Sequence, residues 1–143
     1  MTVIFSKKCE YALQAILLMA AFEDDRVYPA EDISKKLKIP KEFISKILQS
    51  LTEVGLIKSK KGKAGGFKLA KDPKKIKLID VVEAVDGLES FNNCVLGFPN
   101  CSQEKPCPVH DRWGELRIRV YNMLSTETLD KFRIDFLKKI DMN

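Results

Sequence analysis

The sequence predicts a mainly α fold with a small β-hairpin: a winged helix-turn-helix domain plus a long C-terminal helix carrying the apolar seam of a dimerisation helix. Three observations predict it. Apolar residues recur at helical spacing on both sides of a break at Pro40. Two short alternating segments flank a glycine- and lysine-rich turn just after Gly55. Trp113, Leu116, Val120 and Met123 then fall three, four and three residues apart, the seam of a helix that packs along another.

Ser6 suits the N-cap of a first helix whose apolar face is Tyr11, Leu13, Ile16, Leu17 and Ala20, with Cys9 read as a small buried hydrophobe in its first turn. Pro29 fits the first turn of a second helix. Over the next stretch Ile33, Leu37, Ile39, Ile44, Ile47, Leu48, Leu51 and Val54 are expected to face inward. Pro40 disfavours helical geometry at Ile39, so one helix ends near Lys38 and the next runs from about Pro40 to Val54, capped by Gly55. The segments LIKSK and GFKLA, separated by KGKAG, read as a hairpin, the wing. LIDVVEAVDG is a short helix ended by Gly87, and a loop containing Gly97, Pro99, Pro106 and Pro108 follows. After the seam helix, Thr126 is expected to start a last amphipathic helix with Leu129, Phe132, Phe136, Leu137 and Ile140.

At 143 residues, 45% hydrophobic and 31% charged, the composition is that of an ordinary globular protein rather than a disordered one. The apolar run from Ala12 to Phe22 is far shorter than a membrane span, and Glu10 interrupts any imitation of a signal peptide, so a cytoplasmic protein with no membrane partner is expected. Net charge is +5, and the excess is concentrated: from Lys58 to Lys77 lysine stands at almost every second position, with Asp72 the one acidic residue. Such a footprint suits double-stranded DNA. In a helix-turn-helix the second helix enters the major groove, so Ser45, Lys46 and Gln49 are candidates for base edges and Lys41 for a phosphate. Wing residues Lys58, Lys60, Lys61 and Lys63 would hold phosphates, with Gly65 and Gly66 permitting close backbone approach.

Residues 94–110, CVLGFPNCSQEKPCPVH, gather three of the four cysteines and the single histidine. Cys94 and Cys101 have six residues between them, Cys101 and Cys107 five, and Cys107 and His110 two. Compact zinc sites open with a cysteine pair two to four residues apart, so the spacing suits zinc poorly; longer intervals suit an iron-sulfur cluster, whose irons spread over a wider body. A disulfide would leave an odd cysteine in the loop and needs an oxidising compartment.

The order of SKKCEYAL, the helix-turn-helix, the wing KGKAGGFKL, LIDVVEAVDG and the three-cysteine loop resembles the Rrf-two family of bacterial transcription regulators, over nearly the whole chain. The resemblance implies a homodimer joined by the long helix, with Cys94, Cys101 and Cys107 binding a 2Fe-2S or 4Fe-4S cluster, the former favoured. CPVHDRW looks like the pattern of members in which a histidine three residues after the last cysteine completes a 2Fe-2S site, which makes His110 the first choice for fourth ligand. In other members an acidic residue near the start of the first helix of the partner subunit serves, and Glu10 holds the matching position. The first cysteine interval is one residue longer here than in the histidine-bearing pattern. Ser45 also stands where that pattern has a site-discriminating glutamate.

The division expected is therefore 1–90 for the DNA-binding domain, 91–110 for the cluster loop, and 111–143 for the dimerisation and C-terminal helices. Two other classes fit the same residues: an iron-sulfur carrier or redox protein with a basic docking surface, and a metal-free regulator of the same family. No Ser-His-Asp grouping or phosphate-binding glycine motif is evident, so no enzyme activity is expected.

Overall fold

Ser6 opens α1 (Lys7–Ala20) as expected, its hydroxyl oxygen accepting the Cys9 amide at 3.0 Å. The computed structural model describes residues 4–22 and 26–141. Within it α1 is the central element, burying Cys9, Ala12, Ala15, Ile16, Leu18, Met19 and Ala20; Tyr11, Leu13 and Leu17 of the expected face are half-buried. More than one face is buried because α1 packs against both the helix-turn-helix and α4 (Leu78–Val85). Asp86, just past α4, accepts the Ser6 amide at 2.8 Å and also its hydroxyl, fastening the start of one helix to the end of the other.

Pro29 stands immediately before α2 (Ala30–Leu37), and Pro40 immediately before α3 (Lys41–Glu53). Between them Lys38 takes a left-handed conformation, φ 58°, and the Ile39 amide donates to the Ser34 carbonyl at 3.1 Å, making the tight turn that Pro40 demanded. Ile33, Ile39, Ile44, Ile47, Leu48 and Leu51 are buried, and Leu37 is half-buried. Val54 departs from expectation: it is 49% exposed, because α3 stops at Glu53 and Val54 already belongs to the turn. Gly55, φ 81°, then lets Leu56 return its amide to the Leu51 carbonyl at 3.1 Å, closing the helix end.

The wing is an antiparallel hairpin of β1 (Ile57–Lys60) and β2 (Gly66–Leu69), paired from Ile57↔Leu69 to Lys60↔Gly66. It has a third member that the sequence pattern did not reveal. Tyr28 exchanges two backbone hydrogen bonds with Phe67, at 2.7 and 2.8 Å, and so attaches β2 to the segment entering α2.

Beyond the loop, α5 runs from His110 to Thr126. The last helix does not start at Thr126, which still belongs to α5; a short 3₁₀ helix, Leu129–Phe132, follows Thr128 and leads into α6 (Arg133–Asp141). The fully buried Leu129 sets this arrangement, its amide donating to the Ile76 carbonyl at 2.8 Å so that the chain turns back onto the core before resuming a helix. Phe136 and Ile140 pack against the main cluster. The upper part of α5 is rooted in a second cluster, where Leu124 joins Cys9, Ile79, Val82 and Phe91 with Val120 against them. The expected seam is thereby split: Val120 and Trp113 are half-buried, whereas Leu116 and Met123 are 53% and 60% exposed, beside exposed Ile118 and Tyr121. No described helix is long and apolar enough to cross a membrane.

Candidate metal centre and nucleic-acid interface

The loop between α4 and α5 brings together residues that the sequence spreads over seventeen positions. Gly97, φ 85°, donates its amide to the Cys94 carbonyl at 3.0 Å, turning the chain back just after the first cysteine. At the far end the His110 amide donates to the Cys107 carbonyl at 3.2 Å, so the third cysteine sits directly over the start of α5. The sulfurs of Cys94, Cys101 and Cys107 lie within 4.8 Å of one another. Cys94 Sγ is 3.5 Å from Cys107 Sγ, Cys101 Sγ is 3.0 Å from His110 Nδ1, and the Cys107 amide donates to Cys101 Sγ at 3.4 Å.

This donor set fits a metal centre. Two thiolates on one tetrahedral metal atom, with metal–sulfur bonds of about 2.3 Å, sit about 3.8 Å apart. The Cys94–Cys107 separation is close to that, and Cys101 and His110 form a second adjacent pair. Asn92, Asn93, Trp113 and Arg117 complete the lining of the hollow. Trp113, read from its period as part of the α5 seam, also reaches this loop: its indole N–H donates to the Asn93 carbonyl at 2.9 Å, tying the residue before Cys94 to α5. Arg117 was missed. The signal that could have found both is spacing, since positions three and seven residues beyond His110 share its face of a helix. Glu10 lies in the first turn of α1 with Lys7 Nζ 3.8 Å from its carboxylate, and it does not line the hollow of its own chain.

The thiols are not equivalent. Partial burial pushes Cys94 up, but the backbone of Phe98 and Leu96 and the side chains of Cys107 and Cys101 outweigh it and bring the thiol down to about 7. Cys107 is raised, by desolvation first and then by its sulfur neighbours, with the Val109 backbone opposing. Cys9 is fully buried, and burial together with the nearby Asp86 carboxylate drives it up to about 12. The thiolate is the reactive form, so in metal-free protein Cys94 alkylates first, its rate rising through about pH 7 and levelling above it. Cys9 stays unmodified across the same range. Peptide mass spectrometry after timed iodoacetamide treatment between pH 5.5 and 8.5 checks this (roughly the span over which such a thiol ionises); faster modification of Cys107 than of Cys94 would contradict it.

On the other candidate surface, α3 buries Ile44, Ile47, Leu48 and Leu51, which leaves Lys41, Lys46 and Gln49 exposed, with Ser45 half-buried beside them. The wing's Lys58, Lys60, Lys61 and Lys63 are all exposed. Gly65 and Gly66 are half-buried, and the space they keep open is internal. A Cβ on Gly65 would lie 2.3 Å from the Lys60 carbonyl oxygen, and one on Gly66 would lie 2.5 Å from the Tyr28 backbone.

The family model for Rrf-two (Rrf2) proteins, described as an iron-dependent transcriptional regulator, matches residues 5–133. A protein of Aquifex aeolicus named as an HTH-type transcriptional regulator is 36% identical over 128 residues, 88% of each chain. The HTH-type transcriptional regulator IscR of Vibrio parahaemolyticus is 28% identical over 130 residues, 91% of this chain and 77% of that one. Among solved structures, CymR, the global cysteine regulator of B. subtilis, matches with a TM-score of 0.75 at 19% identity, covering 92% of this chain and 97% of its own. T. potens IscR matches at 0.70 and 22% identity, with 91% and 86% covered. These relatives are transcription regulators rather than enzymes, and the structural matches carry the winged-helix fold.

Proposed function

The chain belongs to the Rrf-two family of transcription regulators, and from that premise we propose that its binding to operator DNA is controlled by an iron-sulfur cluster held between α4 and α5. The observation that carries this reading is the convergence of Cys94, Cys101 and Cys107 with His110 directly over the start of α5. The ligand set is Cys94, Cys101, Cys107 and His110, with Glu10 of the partner subunit as the alternative fourth ligand. The two adjacent pairs, Cys94 with Cys107 and Cys101 with His110, are the residues that would hold such a cluster, 2Fe-2S being the favoured type. When bound, such a group supplies a local charge and a set of bonds that change with oxidation, nitrosylation or loss.

The chain's own residues transmit that change. Trp113 joins the loop to α5 through Asn93, and the exposed Leu116, Ile118 and Met123 on α5 suit the seam of a homodimer. Leu124 and Val120 root the same helix beside Cys9 of α1, within reach of the 1–90 DNA-binding unit. A shift of the 91–110 loop against the 111–143 segment would therefore alter the relative placement of two recognition helices against operator half-sites. Lys41, Ser45, Lys46 and Gln49 meet the major groove, and the wing lysines meet phosphates in this cytoplasmic regulator.

The test is anaerobic reconstitution with iron and sulfide, followed by visible absorption, iron and sulfide analysis, and duplex binding with and without the cluster. Wild type should bind iron and inorganic sulfide in equal amounts and colour; Cys101→Ala should remain colourless. His110→Ala and Glu10→Ala, compared in the same assay, separate the two fourth-ligand readings. A colourless, iron-free wild type sinks the cluster, and duplex affinity indifferent to its presence sinks the control.

A further inference from the structure

One residue that lines the cysteine hollow, Arg117, has no task in the regulatory scheme. It follows His110 on α5 by about two helical turns, so the two residues share a face. Its neighbours three and four positions away are Trp113, Gly114, Val120 and Tyr121, none of them acidic, so α5 itself offers the guanidinium no ion pair. Gly114 decides where the side chain lies instead. Arg117 Nη2 is 3.9 Å from the position a Cβ on Gly114 would take, so the side chain folds back along α5 toward His110, over a residue with no side chain to obstruct it. Half-buried there, Arg117 stands at the border between the cysteine hollow and a shallower one lined by Phe91, Ile118 and Tyr121.

The charges at this border are one-sided. Among the described residues lining the cysteine hollow there is no carboxylate, and Arg117 is the one side chain with a permanent positive charge. Among the described residues no carboxylate pairs with it elsewhere. On the other side are three sulfurs within 4.8 Å of one another, each of which must be a thiolate to ligate metal. Three negative charges so close repel strongly unless a cation lies beside them. A cluster held by three thiolates and a neutral imidazole keeps a net negative charge, which grows on reduction.

Given the cluster of the preceding proposal, on which this inference rests, we propose that Arg117 is the counter-charge of the centre. It offsets the negative charge of the thiolates and of the cluster they hold, and so raises the reduction potential. Arginine suits this place because it stays protonated whatever the pH and because its planar group can lie flat along the helix.

Two readouts test the assignment. In metal-free protein, at one pH and low salt, Cys94 is alkylated in parallel by iodoacetate, an anion, and by iodoacetamide, which is neutral. Both reagents attack the same thiolate, so the ratio of their rates reports the local potential and not the degree of ionisation. Arg117→Gln should lower that ratio about threefold, the effect of a partly exposed charge. Arg117→Lys should restore most of it, and chloride at about 1 M should erase the difference by screening. Arg112→Gln, exposed on α5 and outside the hollow, should leave the ratio as in wild type.

In anaerobically reconstituted protein the cluster of Arg117→Gln should be about fivefold harder to reduce, a fall of about 40 mV at about 59 mV per tenfold for one electron. Arg117→Lys should recover the wild-type potential. A reagent ratio or a potential that Arg117→Gln leaves unchanged overturns the counter-charge. So does an Arg117→Lys variant that behaves like Arg117→Gln, since shape and not charge would then matter. A wild type that stays colourless on reconstitution is instead the failure of the cluster reading, and the reagent ratio then still decides whether Arg117 sets the potential at the thiols.

Discussion

Replacing Lys58, Lys60, Lys61 and Lys63 together by glutamine is expected to weaken duplex binding between about 10²- and 10³-fold near 0.1 M salt. Each phosphate neutralised by a cation releases counterions and adds about 0.9 to the slope of log affinity against log salt, so the slope should fall by about 3 to 4. The four side chains are exposed and β1 is held by its backbone pairing to β2, so the thermal midpoint should barely move. Gln49→Ala provides the contrast. Gln49 is exposed on α3, and its loss should cost about 1–3 kcal/mol on a preferred sequence while leaving the salt slope nearly intact. Fluorescence anisotropy with a labelled operator over a salt series measures both quantities. An unchanged slope in the quadruple variant would remove the wing from the interface, and a carrier protein with no duplex affinity would show no slope at all.

The elements that the sequence made legible are those whose cause is local. Pro40 must break a helix, Gly55 must end one, and the glycines between LIKSK and GFKLA must turn, whatever surrounds them. Tyr28 gave no such signal, because a one-residue bridge is formed by its distant partner Phe67 and leaves no alternation to read. The end of α5 escaped for a similar reason: Thr126 is a good cap in isolation, but Leu129, buried 53 residues downstream of Ile76 and near it in space, decides where the chain turns. At the candidate metal centre the ligand types were readable, since three cysteines and a histidine in one loop are chemically conspicuous. Their pairing was not, because it depends on how the Gly97 turn and the first residues of α5 close on each other. Trp113 was assigned to the seam by its period, and its hydrogen bond to Asn93, made by a distant loop, left no signal in that period.

Gly66→Ala is expected to destabilise the wing, costing about 3 kcal/mol. The added Cβ would lie 2.5 Å from both the carbonyl carbon and the oxygen of Tyr28, and 2.7 Å from the Pro29 nitrogen. These atoms are backbone, so relief requires β2 to move away from Tyr28. That movement endangers the two hydrogen bonds between Tyr28 and Phe67, each worth about 1 kcal/mol, in addition to the strain itself. For a chain of 143 residues the midpoint should fall by roughly 10 °C. Gly114→Ala, within α5, should do the reverse: the nearest atom to its new Cβ is the Arg117 guanidinium at 3.9 Å, and alanine gains about 0.8–1 kcal/mol over glycine in a helix. Thermal unfolding of metal-free protein by circular dichroism distinguishes the two signs. If Gly66→Ala melts with wild type yet loses duplex affinity, the glycine serves close approach to DNA; if it melts early, as the Tyr28 geometry requires, its first duty is to close the wing.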